Sequence, residues 1–133
     1  MDFLDENTNL VNELTKANFS KDNPTIFVAE GLIMYLGAGK ARFLKEVSDA
    51  AAPGSVLILN FMQHSDDVEG AKMEYYMSLE DMKNTLVNEG WDKKSFKVNR
   101  FGDDVLNYGM FPNDKFQKSY SFSFLVCHKN DIF

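Results

Sequence analysis

A single carboxylate, Glu30, ends the apolar run Ile26-Phe27-Val28-Ala29, and beyond Gly31 a second apolar run, Leu32-Ile33-Met34-Tyr35-Leu36, follows at once. An acid at the carboxyl end of a buried strand sits where open α/β sheets bind ligands, in the crevice outside the strand ends. Burying such an acid without a partner is costly, which favours a ligand site. The other reading is stabilisation of the amino-terminal end of the following segment, worth roughly a few tenths to 1 kcal/mol. A second polar residue, Asn60, interrupts the apolar run Val56-Leu57-Ile58-Leu59 at the end of another strand and faces the same crevice. Its alternative is an amide hydrogen-bonded to a nearby loop.

The remaining chemistry-bearing residues do not assemble into a motif. His64-Ser65-Asp66-Asp67 reads as a solvated loop, and His64 and His128 lie far apart, with no His, Cys and acid spacing that would ligate a metal. The lone cysteine, Cys127, excludes an internal disulfide and lies in an apolar segment, where an inert thiol is expected. Gly37-Ala38-Gly39-Lys40 lacks the third glycine of a dinucleotide-type loop and the pattern of a phosphate loop, and reads as a turn that starts a helix.

These residues need elements to position them. Leu10, Val11 and Leu14 are spaced as one face of a helix over Asn7 to Ala17, with Asn7 or Thr8 as cap. Thr25 to Glu30 lacks polar alternation, as in a strand of a parallel sheet buried on both faces. A helix from Lys40 to Ala51 with Phe43, Leu44 and Val47 on its apolar face leads to a second strand at Val56 to Phe61. Strand, helix, strand in that order favours a right-handed parallel crossover. A polar loop at His64 to Glu69 and an ambiguous segment from Lys72 to Met77 precede a helix signalled by Ser78 with Asp81 three residues on, Met82, Leu86 and Val87, and a closing Gly90. Ser95 to Phe101 and Ser119 to His128 alternate as strands, the latter with Tyr120, Phe122, Phe124 and Val126 on its apolar face. The connection between them, Gly102 to Lys118, exceeds the length of an ordinary loop.

The bulk composition bounds the function. At 133 residues, 44% hydrophobic and 26% charged with twelve Phe, the chain has the make-up of a folded globular domain. A net charge of −6 without a basic stripe argues against nucleic acid as partner. No apolar run approaches the roughly 18 residues of a membrane span, and the acidic start resembles no targeting peptide. A cytoplasmic protein without membrane contact is therefore expected.

Asn23-Pro24-Thr25-Ile26-Phe27-Val28-Ala29-Glu30-Gly31-Leu32-Ile33-Met34-Tyr35-Leu36, followed by Ala52-Pro53-Gly54-Ser55, resembles the leucine carboxyl methyltransferase family and its bacterial relatives. That family carries a Pro-Thr, apolar strand, Ala-Glu and Tyr-Leu signature. Met1-Asp2-Phe3-Leu4-Asp5 resembles the acidic end of its preceding strand. The element order likewise resembles the carboxyl-terminal half of a class I S-adenosylmethionine-dependent methyltransferase. The expected architecture is α/β, a partial Rossmann-like sheet, mostly parallel with an antiparallel carboxyl-terminal edge strand. The family's Gly-rich cofactor loop and the ribose-binding acid after it have no counterpart in residues 1–133, so the whole chain corresponds to that half-domain.

The resemblance implies S-adenosylmethionine as cofactor, with Glu30 on its α-amino group and Asp2 and Phe3 on the adenine edge and ring. It implies that Tyr35 lines the acceptor pocket, against the alternative of surface packing, and that Asn60 faces the same crevice. No catalytic base is assigned, because a carboxylate acceptor needs none. The implied activity is methyl transfer to a carboxylate or other oxygen acceptor, on a small molecule or a protein, with little activity from this chain alone. The alternative is a non-catalytic methyltransferase remnant that serves as an interaction module. In either case an exposed sheet edge, where further strands would pair, is expected to favour association.

Overall fold

The computed structural model describes residues 1–63, 77–100 and 121–130. The expected loops at 64–69 and 102–118, the ambiguous segment as far as residue 76, His64 and Tyr120 lie outside the described residues.

Strands β1 (Ile26–Ala29), β2 (Val56–Gln63), β3 (Lys97–Arg100) and β4 (Ser121–His128) form one sheet in the order β1-β2-β4-β3. β1 and β2 are parallel, with Ile26 opposite Val56 and Ala29 opposite Leu59. β4 is antiparallel to both β2 and β3. The α/β class and the parallel crossover are as expected. The final strand is antiparallel, as expected, but lies one position in from the edge, and β3 occupies the edge outside it. Its length explains the placement. Eight residues allow β4 to pair along all of β2, from Val56 opposite His128 to Gln63 opposite Ser121, while the four-residue β3 pairs with part of its other side. The longer strand thereby satisfies more backbone groups from an interior position.

Helices α1 (Leu10–Thr15), α2 (Lys40–Ala50) and α3 (Leu79–Asn88) pack on one face of this sheet. Leu10, Phe43, Leu44, Val47, Met82 and Leu86 bury against Phe27, Leu57, Leu59, Phe61, Leu125 and Cys127. α1 is shorter than its sequence pattern suggests. Asn9 caps it by accepting from the Asn12 N–H, and Asn18 turns the chain in the left-handed region at φ 67°. α3 follows its sequence signals, with Ser78 Oγ accepting from the Asp81 N–H at 3.0 Å.

Two facing assignments change. β1 is not buried on both faces: Phe27 and Ala29 join the core, but Ile26 and Val28 are 67% and 64% exposed, because the described helices all lie on the other face. In β4 the core face is Ser123, Leu125 and Cys127, whereas Phe124 and Val126 are only half-buried on the opposite face. Alternation separated the two faces, but Phe124 and Val126 lie on the one away from the helices.

One polar junction ties the helix ends to the sheet. Buried Trp91 donates its indole N–H to Ser48 Oγ at 2.7 Å, and that hydroxyl donates to the Leu44 carbonyl. Lys129 Nζ lies 5.4 Å from the Trp91 ring centre and donates to the Ser48 and Glu89 carbonyls, so it caps the ends of α2 and α3 together. Burial holds the Lys129 ammonium below its ordinary pKa. The indole bond is made inside the core, where a lost partner is not replaced by water. Trp91→Phe is expected to cost about 2 kcal/mol in urea unfolding, from the lost bond and lost volume.

Cys127 is fully buried, and burial pushes its thiol up to about 12. Because the folded state keeps this proton while the unfolded chain releases it near pH 9, its contribution is intact below that value and is lost as pH rises toward 12. Lys129, with a lowered pKa, acts in the opposite sense. Between about pH 8 and 10.5 the wild-type chain is expected to lose about 2 kcal/mol more stability than Cys127→Ala, measured by urea unfolding at both pH values.

Candidate functional site

A hollow of about 130 Å³, lined by Val28, Ala29, Glu30, Ile58, Leu59, Asn60 and Phe124, lies between the carboxyl end of β1 and the middle of β2; Asn60 does not end its strand as expected, because pairing with β4 carries β2 on to Gln63. Its walls are apolar apart from Glu30 and Asn60. The parallel pairing of Val28 with Ile58 and of Ala29 with Leu59 sets these side chains level, and β4 adds Phe124 opposite Asn60.

A hydrogen bond fixes the mouth. The Gly31 N–H donates to Asn60 Oδ1 at 2.7 Å, joining the turn after β1 to the neighbouring strand. Gly31 has φ 64°, a left-handed conformation that a side chain would strain. An added Cβ would meet nothing within 4 Å, so the need for glycine there is conformational rather than steric. This turn leaves Glu30 exposed at the rim. Thus a carboxylate faces solvent above an apolar floor, which suits a ligand that presents a cationic group beside an apolar body.

Of the residues singled out in the sequence, the structure brings Glu30 and Asn60 together. The Asn60 carbonyl oxygen is engaged with the backbone, so the loop-bonding alternative read from the sequence describes what this oxygen does. Phe3 lies elsewhere: it packs edge-on against Phe43 with ring centres 5.1 Å apart, and lines a neighbouring hollow of about 190 Å³ that shares Val28 and Ala29 with the first. Asp2 is exposed, and its carboxylate accepts from the Leu4 N–H at 2.9 Å. The segment carrying both is anchored rather than frayed, because Arg42 donates to the Asp5 and Thr8 carbonyls and pairs with Glu46. Tyr35 sits on a 3-10 turn (Ile33–Tyr35), 71% exposed and outside the lining of the Glu30 hollow.

Phe124 and the Arg42 anchor were missed in the sequence. The alternation of β4 carried a signal for Phe124, whereas nothing local marks Arg42 as a clamp on residues as distant along the chain as Asp5 and Thr8. Among the described residues no three His, Cys, Asp or Glu side chains gather as metal ligands, and no helix is long and apolar enough to cross a membrane.

Comparison with solved structures identifies the fold. Phosphoethanolamine N-methyltransferase 2 of Haemonchus contortus, in complex with phosphomonomethylethanolamine and S-adenosylhomocysteine, superposes with TM-score 0.60 at 10% identity, covering 85% of this chain and 35% of that one. The [4+2]-cyclase SpnF superposes with TM-score 0.59 at 10% identity, covering 98% of this chain and 54% of that one. The fold is that of the class I methyltransferases. The leucine carboxyl methyltransferase family model matches residues 1–47, which bears out the resemblance read from the sequence over that stretch. A Mycolicibacterium smegmatis protein whose name places it among the S-adenosyl-L-methionine-dependent methyltransferases is 41% identical over 59 residues, 44% of this chain. That match spans about a fifth of the relative, 20% of its length.

If the Asn60 amide holds the Gly31 turn, Asn60→Ala is expected to accelerate hydrogen exchange at the Gly31 amide while lowering global stability by no more than about 1 kcal/mol. Asn60→Asp, which keeps the acceptor, should retain the protection. Amide exchange followed by NMR checks both outcomes.

Proposed function

We propose that this chain is the carboxyl-terminal half of a class I methyltransferase domain of the leucine carboxyl methyltransferase type, and that the hollow beneath Glu30 receives the amino-acid end of S-adenosylmethionine. The observation that carries this reading is the exposed Glu30 carboxylate, held at the carboxyl end of β1 by the bond from Gly31 N–H to Asn60 Oδ1. The hollow suits part of such a ligand. At about 130 Å³ it is well below the roughly 300–1,000 Å³ of pockets that enclose whole small molecules.

In this reading Glu30 pairs with the ligand's ammonium group, while Val28, Ile58 and Phe124 exclude water along its apolar portion. The bound cofactor supplies an activated methyl group, so the residues of the chain need only bind and align. Asp2 and Phe3 are assigned to the adenine by family resemblance, and Tyr35 to the acceptor side. The acceptor is a carboxylate or other oxygen on a small molecule or a protein, and the free buried thiol of Cys127 suits the reducing cytoplasm.

Two measurements test the assignment. Isothermal titration of the isolated chain with S-adenosylmethionine is expected to show no micromolar binding, since much of the cofactor would lie outside this hollow. In a protein carrying the complete domain, Glu30→Gln is expected to weaken cofactor binding at least about tenfold by removing a charge-assisted hydrogen bond. Unchanged affinity would remove Glu30 from the site.

A further inference from the structure

We propose that the groove between α3 and the 3-10 turn Lys93–Ser95 binds an unbranched aliphatic carboxylate, at a site separate from the Glu30 hollow. The groove has a volume of about 520 Å³ and shares no lining residue with that hollow. Leu79, Lys83 and Val87 line it from α3, and Lys93 and Phe96 line it from the chain that leads into β3. No part of the inference rests on the reading of Glu30.

The sequence of α3 makes the groove long and apolar. Met82 and Leu86 bury completely in the core, which leaves Leu79, Lys83 and Val87, spaced one turn apart, on the flank that lines the groove. At 1.5 Å per residue this row runs about 12 Å. Leu79 and Phe96 pack against the core but are only partly buried, so both keep apolar surface for a ligand. The opposite wall is fixed: Asp92 accepts from the Lys94 N–H at 3.0 Å, and Ser95 Oγ donates to the Asp92 carbonyl and accepts from the His128 N–H. A preformed, elongated apolar trough suits a hydrocarbon chain better than a compact ring.

Charge selects the head group. Lys83 is half-buried and Lys93 exposed, and among the described residues neither ammonium has an ion-pair or hydrogen-bond partner. Glu80 lies at the rim with Asn84 and pairs with neither lysine. Within a chain of net charge −6, the groove thus combines two uncommitted cations with one acid. A carboxylate gains charge-assisted hydrogen bonds there, while the lysine stems extend the apolar lining. Scale favours a small molecule over a protein segment. The volume falls in the roughly 300–1,000 Å³ range of small-molecule pockets, whereas a stable protein interface takes roughly 20–30 residues a side.

Titration of the full 133-residue chain with sodium octanoate, followed by amide NMR shifts, tests the site. Shifts are expected at Leu79 to Val87 and Lys93 to Phe96, with affinity at least about fourfold above that of hexanoate for the two added methylenes. Octan-1-ol keeps the chain but not the charge, and is expected to bind at least about fivefold more weakly. The double variant Lys83→Gln, Lys93→Gln is expected to weaken octanoate to a similar degree. Neither lysine holds the fold through a described ion pair or hydrogen bond, so thermal unfolding of the variant should match wild type. Absence of shifts at millimolar octanoate, shifts centred on the Glu30 hollow or on the hollow beside Phe3, equal binding of octan-1-ol, or indifference to the double variant would overturn the proposal. So would a dimer of this chain that buries the same amides, or nuclear Overhauser contacts showing the groove filled by another part of the chain before octanoate is added.

Discussion

The structure depends on the placement of β2 between a parallel and an antiparallel neighbour. Its pairing with β1 brings the strand that carries Glu30 level with Asn60, and its pairing with β4 closes the sheet on the other side with Phe124. On the helix-covered face it contributes Leu57, Leu59 and Phe61, the centre of the core. On the opposite face it contributes Ile58 and Asn60 to the hollow. One eight-residue strand therefore supplies the core with one set of side chains and the candidate site with the alternate set, and a one-residue slip in register would exchange them.

This division explains why the molecule is asymmetric. The helix-covered face is completed by detailed polar capping: Trp91, Ser48 and Lys129 satisfy one another and the ends of α2 and α3, and no buried side-chain nitrogen or oxygen among the described residues lacks a hydrogen bond. The opposite face has apolar side chains in register but leaves Ile26 and Val28 in water. Burying such side chains is worth roughly 1.5–3 kcal/mol each. The energy available from covering this face is therefore comparable to what holds individual core residues.

Much of this was legible in the sequence, for reasons that differ by residue. The parallel crossover followed from two short apolar runs flanking an amphipathic helix, and α3 followed from Ser78, Asp81 and Gly90, because these signals act over a few residues. Glu30 stood out because a charge abruptly ended an apolar run. The burial of β1 on both faces was misread because local composition reports what a strand is suited to pack against, not whether that partner lies nearby. Likewise, the alternation in β4 revealed two faces without revealing which one meets the helices. The role of Asn60 was divided between ligand and loop, and distinguishing them required knowing that Gly31 lies across the strand boundary. Phe3, assigned to a ring contact by family resemblance, is held against Phe43 through a fold of the amino-terminal segment that depends on Arg42.

The exposure of Glu30 arises from the same asymmetry. A carboxylate buried beside Val28 and Ile58 without a partner would carry a large desolvation cost, and Glu30 instead stays exposed at the rim, where water solvates it. Fold alone does not dictate which reaction an occupied site performs, since an N-methyltransferase and a cyclase share this architecture. The choice of reaction must therefore reside in the groups placed around the bound ligand. Around the hollow of this chain the described groups are the exposed Glu30 carboxylate, Asn60, which holds the Gly31 turn, and apolar walls.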